Sequence, residues 1–104
     1  MESVVETPNY LAAAKAANMT EIEMELAVLI VAGDPLAGDL IAGTGGCRKV
    51  RMAGKGKGKS GGYRLITFYR VGQRVYLLSV FAKADRMNLT SQQRNELKAV
   101  TALL

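Results

Sequence analysis

The feature that most constrains the fold of this chain is a pair of strand-like runs: GYRLITFYR (residues 62–70) and RVYLLSVFAK (residues 74–83). Both are rich in aromatic and β-branched residues, and the link VGQ between them is short enough for a hairpin. Upstream, CRKVRM (residues 47–52) alternates so that Cys47, Lys49 and Arg51 point to one side of a strand. The three runs together predict an antiparallel sheet.

The flanking segments predict helices and one further strand. ESVVETP reads as a brief edge strand that ends at Pro8, and the alanine-rich NYLAAAKAAN reads as a short helix capped by asparagines at both ends. Capping-box pairs open two more helices, at Thr20 with Glu23 and at Thr90 with Gln93. Apolar residues then recur at helical spacing, as Ile22, Leu26, Leu29 and Ile30 in one helix and as Leu97, Val100 and Leu104 in the other.

This order of elements predicts an α+β fold. We expect residues 1–104 to form a single domain, because 104 residues are enough for one modest core and too few for two. In that domain an N-terminal helical hairpin packs on a mainly antiparallel sheet, and a C-terminal helix completes the fold.

Charge divides the chain into two unlike parts. Residues 1–46 hold seven acidic residues against Lys15, whereas residues 47–104 hold thirteen lysines and arginines against two acidic residues. Such segregation predicts a cationic working face for a polyanion, although a solvated surface with chance segregation would look similar.

Composition narrows the chemistry further. The chain has no histidine and one cysteine, Cys47, so it lacks the usual zinc spacings, an internal disulfide and the usual acid–base group at neutral pH. We expect no metal and no other cofactor. The N-terminus MESVVETPNY lacks the features of a secretory signal, and the sequence has no apolar run of membrane-spanning length, so we expect a cytoplasmic protein without a membrane partner.

The stretch GTGGCRKVRMAGKGKGKSGGYR, residues 43–64, combines glycines and cations without an acidic residue. Its AGKGKGKS part fits a relaxed phosphate-loop pattern, but that motif needs a helix after the loop, and here a strand-like run follows. We interpret the tract as a hairpin tip whose Lys55, Lys57 and Lys59 anchor a phosphate backbone.

Three of these stretches, GTGGCRKVRM, KGKSGGYRLITFYR and YLLSVFAK, resemble the RelE/ParE toxin superfamily, in particular its HigB-like and RelE-like mRNA-cleaving members. The resemblance covers most of the chain. It implies the toxin of a type II toxin–antitoxin system, a metal-independent endoribonuclease that enters the ribosomal A site and cuts the bound mRNA. It also implies a cognate antitoxin, through which the toxin would reach operator DNA.

The resemblance implies four catalytic residues by motif position. The cationic pair of the family falls on Lys49 and Arg51, the arginine of its GYR motif falls on Arg64, and the basic residue after its SV strand falls on Lys83. Arg64 would stabilise the charged transition state, and Lys49 or Lys83 would protonate the leaving 5′ oxygen. The segment DRMNLTSQQ contains neither the tyrosine that RelE-type members often carry nor a histidine, so the general base stays unassigned.

Further RNA contacts are expected from Arg86 and from two aromatic residues. Tyr63 and Phe68 can stack on bases, or, as strand residues, they can belong to the core. Two other functions share these features: a ParE-like inhibitor of DNA gyrase, which has the same fold, and a non-enzymatic nucleic-acid-binding module, for which the basic part of the chain suffices.

Overall fold

The computed structural model describes residues 1–54, 62–83 and 88–104, and the elements in these ranges define an α+β fold, as predicted. In chain order they are β1 (Ser3–Glu6), α1 (Pro8–Ala16), α2 (Glu21–Gly33), β2 (Asp39–Leu40), β3 (Arg48–Met52), β4 (Tyr63–Tyr69), β5 (Arg74–Ala82) and α3 (Ser91–Thr101).

Local signals place two of the helix starts. Thr20 and Glu23 form the predicted capping box of α2, and Thr90 and Gln93 form that of α3. The predicted start of α1 was wrong, because Pro8 does not end a strand there. It occupies the first helical turn, where its missing N–H is harmless, and Thr7 rather than Asn9 is the N-cap.

The strands of the described residues form one mixed sheet in the order β1-β5-β4-β3-β2. The three predicted strands β3, β4 and β5 pair antiparallel, with a register shift in β4–β5 between Ile66 and Thr67. At the edges, β1 runs parallel to β5, and β2 pairs antiparallel with β3. The sequence did not predict β2, since two residues inside a glycine-rich connector show no period.

Helices α1 and α2 cover one face of the sheet. Its core contains Tyr10, Ala14, Ala27, Val31, Val50, Met52, Tyr63, Leu65, Val75, Leu77, Val80 and Ala82. Helix α2 contributes only a few side chains to this core, among them Ala27 and Val31. The apolar stripe that predicted the helix is exposed instead; it consists of Ile22, Leu26, Leu29 and Ile30. Among the described residues, no helix is long and apolar enough to cross a membrane.

Helix α3 covers part of the opposite face. Its side of the sheet buries Cys47, Ile66, Phe68, Leu78 and Phe81, against which Leu89, Leu97 and Leu104 pack. Val100, predicted on the same stripe as Leu97 and Leu104, is instead exposed, and Thr101 is buried. The Thr101 hydroxyl donates to the main-chain oxygen of Thr44 at 3.0 Å, which ties the helix to the turn before β3.

This turn depends on glycine. Gly45 has a φ of +77°, and a Cβ at that position would lie 2.5 Å from the Thr101 hydroxyl oxygen. Both the backbone conformation and the space therefore exclude a side chain. The turn leads directly into β3 and so sets where the cations of that strand begin.

Candidate catalytic and RNA-binding face

The register of β3 and β4 brings three of the predicted catalytic residues onto one face of the sheet. Arg51 lies directly opposite Arg64, and Lys49 lies opposite Ile66. Residues that pair across two strands share a face, as do residues two apart in one strand. Lys49, Arg51 and Arg64 therefore project from the face that α3 partly covers, away from α1 and α2.

Lys83 continues the same face at the end of β5. Arg64 pairs with Phe81, and the main-chain N–H of Lys83 donates to the oxygen of Gly62 at 2.9 Å, which extends the β4–β5 ladder by one residue pair. Two positions beyond Phe81, Lys83 has the orientation of Arg64. We call Lys49, Arg51, Arg64 and Lys83 the cationic face.

Arg64 is the most enclosed member of the cationic face. Its side chain is 5% exposed, and its Nη1 donates to the main-chain oxygen of Tyr63 at 3.2 Å. Burial lowers the pKa of the guanidinium, and the positive charge of Arg51 lowers it further. Because a guanidinium stays protonated at neutral pH, the protein holds two like charges side by side on neighbouring strands.

Such a pair is suited to an anion. Two adjacent cations repel each other, and this repulsion is relieved when a phosphate group lies between them. A planar guanidinium can also donate two parallel hydrogen bonds to phosphate oxygens, and partial burial strengthens these bonds. The arrangement can therefore bind a phosphodiester and stabilise additional negative charge on it.

Tyr63 and Phe68, the two aromatic residues considered for base stacking, both lie in the core. Tyr63 is buried on the side of α1 and α2, and Phe68 belongs to the core under α3, where its ring lies 6.5 Å from that of Tyr76. The guanidinium of Arg70 stacks over Phe68 at 5.6 Å from the ring centre. The structure thus brings neither ring to the cationic face.

The hydroxyl of Tyr63 has a partner that the sequence did not reveal. It donates to Oε1 of Glu23 at 2.9 Å, and the same oxygen accepts the main-chain N–H of Thr20 in the capping box of α2. Burial raises the pKa of Tyr63 to about 12, and the Glu23 carboxylate adds to this shift. Since Glu23 already has a role in the capping box, nothing in the sequence pointed to its second contact across 40 residues.

Two sets of predicted residues lie outside the described parts of the chain. Lys55, Lys57 and Lys59 belong to residues 55–61, and Arg86 belongs to residues 84–87. Their roles as RNA contacts stay predictions. Among residues 1–54, 62–83 and 88–104, no group of His, Cys, Asp and Glu side chains could hold a metal ion.

The tyrosines lie away from the cationic face. Tyr63 and Tyr69 lie on the opposite face of the sheet, and Tyr10 of α1 is buried in the core on that same side. Tyr76 pairs with Phe68, at the end of the sheet that α3 covers. Burial raises the pKa of Tyr10 to about 12. On this geometry, no tyrosine is placed to act as a general base on a phosphodiester bound by the four cations.

A model of a known protein family matches nearly the whole chain. Residues 4–104 match the family model described as RelE toxin of RelE / RelB toxin-antitoxin system. The match includes every helix and strand described above except Ser3, the first residue of β1. The chain therefore belongs to the RelE toxin family.

Proposed function

We propose that this protein is a ribosome-dependent mRNA endoribonuclease that acts from the cationic face. RelE-family toxins are generally mRNA endoribonucleases. The observation that carries the proposal for this chain is the pairing of Arg51 with Arg64 across β3 and β4, on the same side as Lys49 and Lys83. In this proposal residues 1–104 work as one toxin domain.

The reaction that fits these residues is transesterification within the RNA. The 2′ oxygen of one nucleotide attacks the adjacent phosphorus, and the bond from phosphorus to the 5′ oxygen of the next nucleotide breaks. The products are a 2′,3′-cyclic phosphate and a free 5′-hydroxyl. The phosphorane-like transition state carries more negative charge than the substrate, so fixed cations lower the barrier.

The four cations have different parts in this proposal. Arg64, enclosed and paired with Arg51, binds the phosphate oxygens, and Arg51 adds charge from the neighbouring strand. Lys49 or Lys83 gives a proton to the leaving 5′ oxygen. The chain has no histidine, and among the described residues no tyrosine lies beside the four cations, so we assign the removal of the 2′-OH proton to none of these groups.

The remaining contacts serve binding. Lys55, Lys57, Lys59 and Arg86 supply phosphate contacts that hold the mRNA without taking part in the chemical step. Ribosomal RNA in the A site orients the substrate, which compensates for the small number of groups on the cationic face. The cognate antitoxin keeps the toxin silent, and the toxin reaches operator DNA through the complex with this antitoxin.

The test is to map mRNA breaks in a purified translation reaction. Wild-type protein should give discrete breaks at codons in the A site. Arg51→Ala should abolish most of the cleavage, whereas Arg48→Ala, the same substitution on the same strand but on the opposite face, should leave it unchanged. Supercoiling defects without breaks would identify a gyrase inhibitor instead, and RNA binding without either effect would identify a non-enzymatic module.

A further inference from the structure

The hydrogen bond between Tyr63 and Glu23 lies at the end of β4 where the cationic face begins. Tyr63 is the first residue of the strand, and Arg64 follows it. Met52 and Tyr63 form the last pair in the ladder of β3 and β4, and the pair of Arg51 with Arg64 comes directly before it. The two arginines therefore lie close to the end of a ladder, where strands separate most easily.

Repulsion between these arginines works to open the same end of the ladder. Like charges that lie directly opposite each other destabilise a strand pair. One of the two guanidinium groups has a main-chain partner, since Nη1 of Arg64 donates to the main-chain oxygen of Tyr63 at 3.2 Å. The position of this guanidinium therefore depends on the position of Tyr63.

Tyr63 is held from the other side of the sheet. Its ring is fully buried in the core under α1 and α2, and its hydroxyl donates to Oε1 of Glu23 at 2.9 Å. The same oxygen accepts the main-chain N–H of Thr20 at 2.9 Å, and the Thr20 hydroxyl accepts the N–H of Glu23 at 3.1 Å. The capping box thus fixes the carboxylate, so the start of α2 offers the strand a rigid acceptor.

Two glycines allow these segments to approach each other closely. A Cβ at Gly54 would overlap the ring of Tyr63 and lie 2.6 Å from Oε2 of Glu23. A Cβ at Gly62 would overlap the main-chain oxygen of Met52 and lie 2.9 Å from the nitrogen of Gly54. The ends of β3 and β4 are therefore packed around the contact of the tyrosine with the glutamate.

We propose that Glu23 and Tyr63 are positioning residues for Arg64. The proposal rests on the proposed function for the reaction that Arg64 serves. The hydrogen bond ties β4 to α2 beside the arginine pair whose repulsion would spread the strands, and it keeps the main-chain oxygen of Tyr63 in place. Since catalysis requires its groups to be held within about 0.5 Å, loss of this bond should slow the reaction although every group that touches RNA is kept.

Strand β4 carries a matched control at its other end. Tyr69 packs on the same core, and its hydroxyl also donates to a glutamate, to Oε1 of Glu2 at 3.1 Å. Tyr63→Phe and Tyr69→Phe each remove one hydroxyl and keep the ring, so both variants should fold and should lose similar stability. They differ in that only Tyr63 accepts a hydrogen bond from Arg64 among the contacts described above.

Single-turnover cleavage of mRNA is measured over a range of toxin concentrations. Tyr63→Phe should lower the rate at saturation about tenfold and leave the concentration for the half-maximal rate within about twofold of wild type, because the binding contacts are kept. Tyr69→Phe should cleave as the wild type does. Equal rates for the two variants would show that the contact serves only stability, and they would overturn the proposal.

Substitutions of Glu23 test whether its hydrogen bond is the cause. In the capping box of α3, Gln93 accepts the N–H of Thr90 at 2.9 Å, so a glutamine can fill both roles of Glu23. Glu23→Gln should therefore cleave within about threefold of wild type, whereas Glu23→Ala should be about as slow as Tyr63→Phe, and the two changes together no slower. Gln93→Ala, which removes the matching cap of α3, should cleave normally. A Glu23→Ala protein that cut at the wild-type rate would overturn the proposal.

The guanidinium itself reports its position without any cleavage. In the free protein, NMR relaxation of the Nε–H group of Arg64 should show more motion in Tyr63→Phe than in the wild type, and wild-type motion in Tyr69→Phe. If the wild-type protein cut no mRNA, the proposed function would be wrong, and this comparison would still decide whether the bond to Glu23 holds Arg64. The same motion in all three proteins would overturn the proposal.

Discussion

The two faces of the central strands β3 and β4 differ in the side chains that they carry. Toward α1 and α2, Val50, Met52 and Leu65 are buried in a continuous apolar core. On the other face, α3 covers Ile66 and Phe68, and the part that it leaves uncovered carries Lys49, Arg51 and Arg64. Because the same strands carry both faces, residues that stabilise the fold can be told apart from residues that are available to bind a ligand.

Like charges on adjacent strands work against folding. Arg51 and Arg64 are directly opposite each other, an arrangement that destabilises a sheet. The core on the other face supplies the stability that lets this pair persist. Residues that break a local folding rule in this way mark functional sites more often than ordinary surface.

The largest effect should follow from opening a cavity in the helix-covered core. Leu65→Ala should lower the free energy of unfolding by about 2 to 5 kcal/mol, because the side chain is fully buried between β3, β5 and the helices. Urea denaturation measures the change. Val71→Ala, in the exposed turn between β4 and β5, is the control, and a loss below about 1 kcal/mol for Leu65→Ala would contradict our account of the core.

The cationic face should show the opposite pattern, with activity lost and the fold retained. Arg64→Ala should slow single-turnover mRNA cleavage by about 30- to 1,000-fold, equivalent to about 2 to 4 kcal/mol of transition-state stabilisation. Arg74→Ala, at the exposed start of β5, should cleave normally. If folded Arg64→Ala protein cut at the wild-type rate, Arg64 would not belong to the site.

Alkaline pH should weaken the helix-covered face through its tyrosines. The pKa of Tyr10 and that of Tyr63 are both raised to about 12, whereas an unfolded tyrosine ionises near pH 10. Their stabilising contribution is therefore complete below pH 10 and is lost as the pH rises toward 12. Each tyrosine adds at most about 1.4 kcal/mol per pH unit to the slope.

Unfolding free energies measured between pH 10 and 11.5 test this expectation. Tyr63→Phe or Tyr10→Phe should remove about half of the slope that the two tyrosines produce. An unchanged slope in both variants would mean that other groups cause the alkaline loss.

The smallest effect should come from separating the paired arginines. Arg51→Met keeps the length of the side chain and removes one of the two charges, so the free energy of unfolding should rise by up to about 0.5 kcal/mol, while cleavage falls. Thermal unfolding at low salt measures the gain, and high salt should reduce it. A destabilised Arg51→Met would show that the pair is not under electrostatic strain.

The parts of the fold that could be predicted from the sequence are those encoded locally. Alternation in β3, the hairpin of β4 and β5, and the capping boxes at Thr20 and Thr90 need only neighbouring residues. The sequence did not predict β2 or the inward face of α2, because tertiary packing decides them. The apolar stripe that identified α2 lies in solvent, and the small Ala27 faces the core.

The candidate site, like the fold, could be predicted from the sequence only where the signal is local. The shared face of Lys49 and Arg51 followed from their spacing, but the sequence could not show that Arg64 lies opposite Arg51, since this depends on the register of two strands. The contact of Tyr63 with Glu23 joins residues 40 positions apart and leaves no local trace. Resemblance to a family supplied Arg64 and Lys83, where physical patterns alone were silent.

The pairing of β1 with β5 affects the order in which the strands can assemble during synthesis. Strand β1 pairs with residues 74–77, and the Thr7 hydroxyl and the Asn9 amide donate to the main-chain oxygens of Leu77 and Leu78. The pairing of β1 therefore waits for the synthesis of β5, about 70 residues later, and contacts so distant in sequence form late. Before β5 is made, β1 has no neighbouring strand and β4 is an edge strand, so the cationic face, which includes Lys83 at the end of β5, is complete only after β5 has paired.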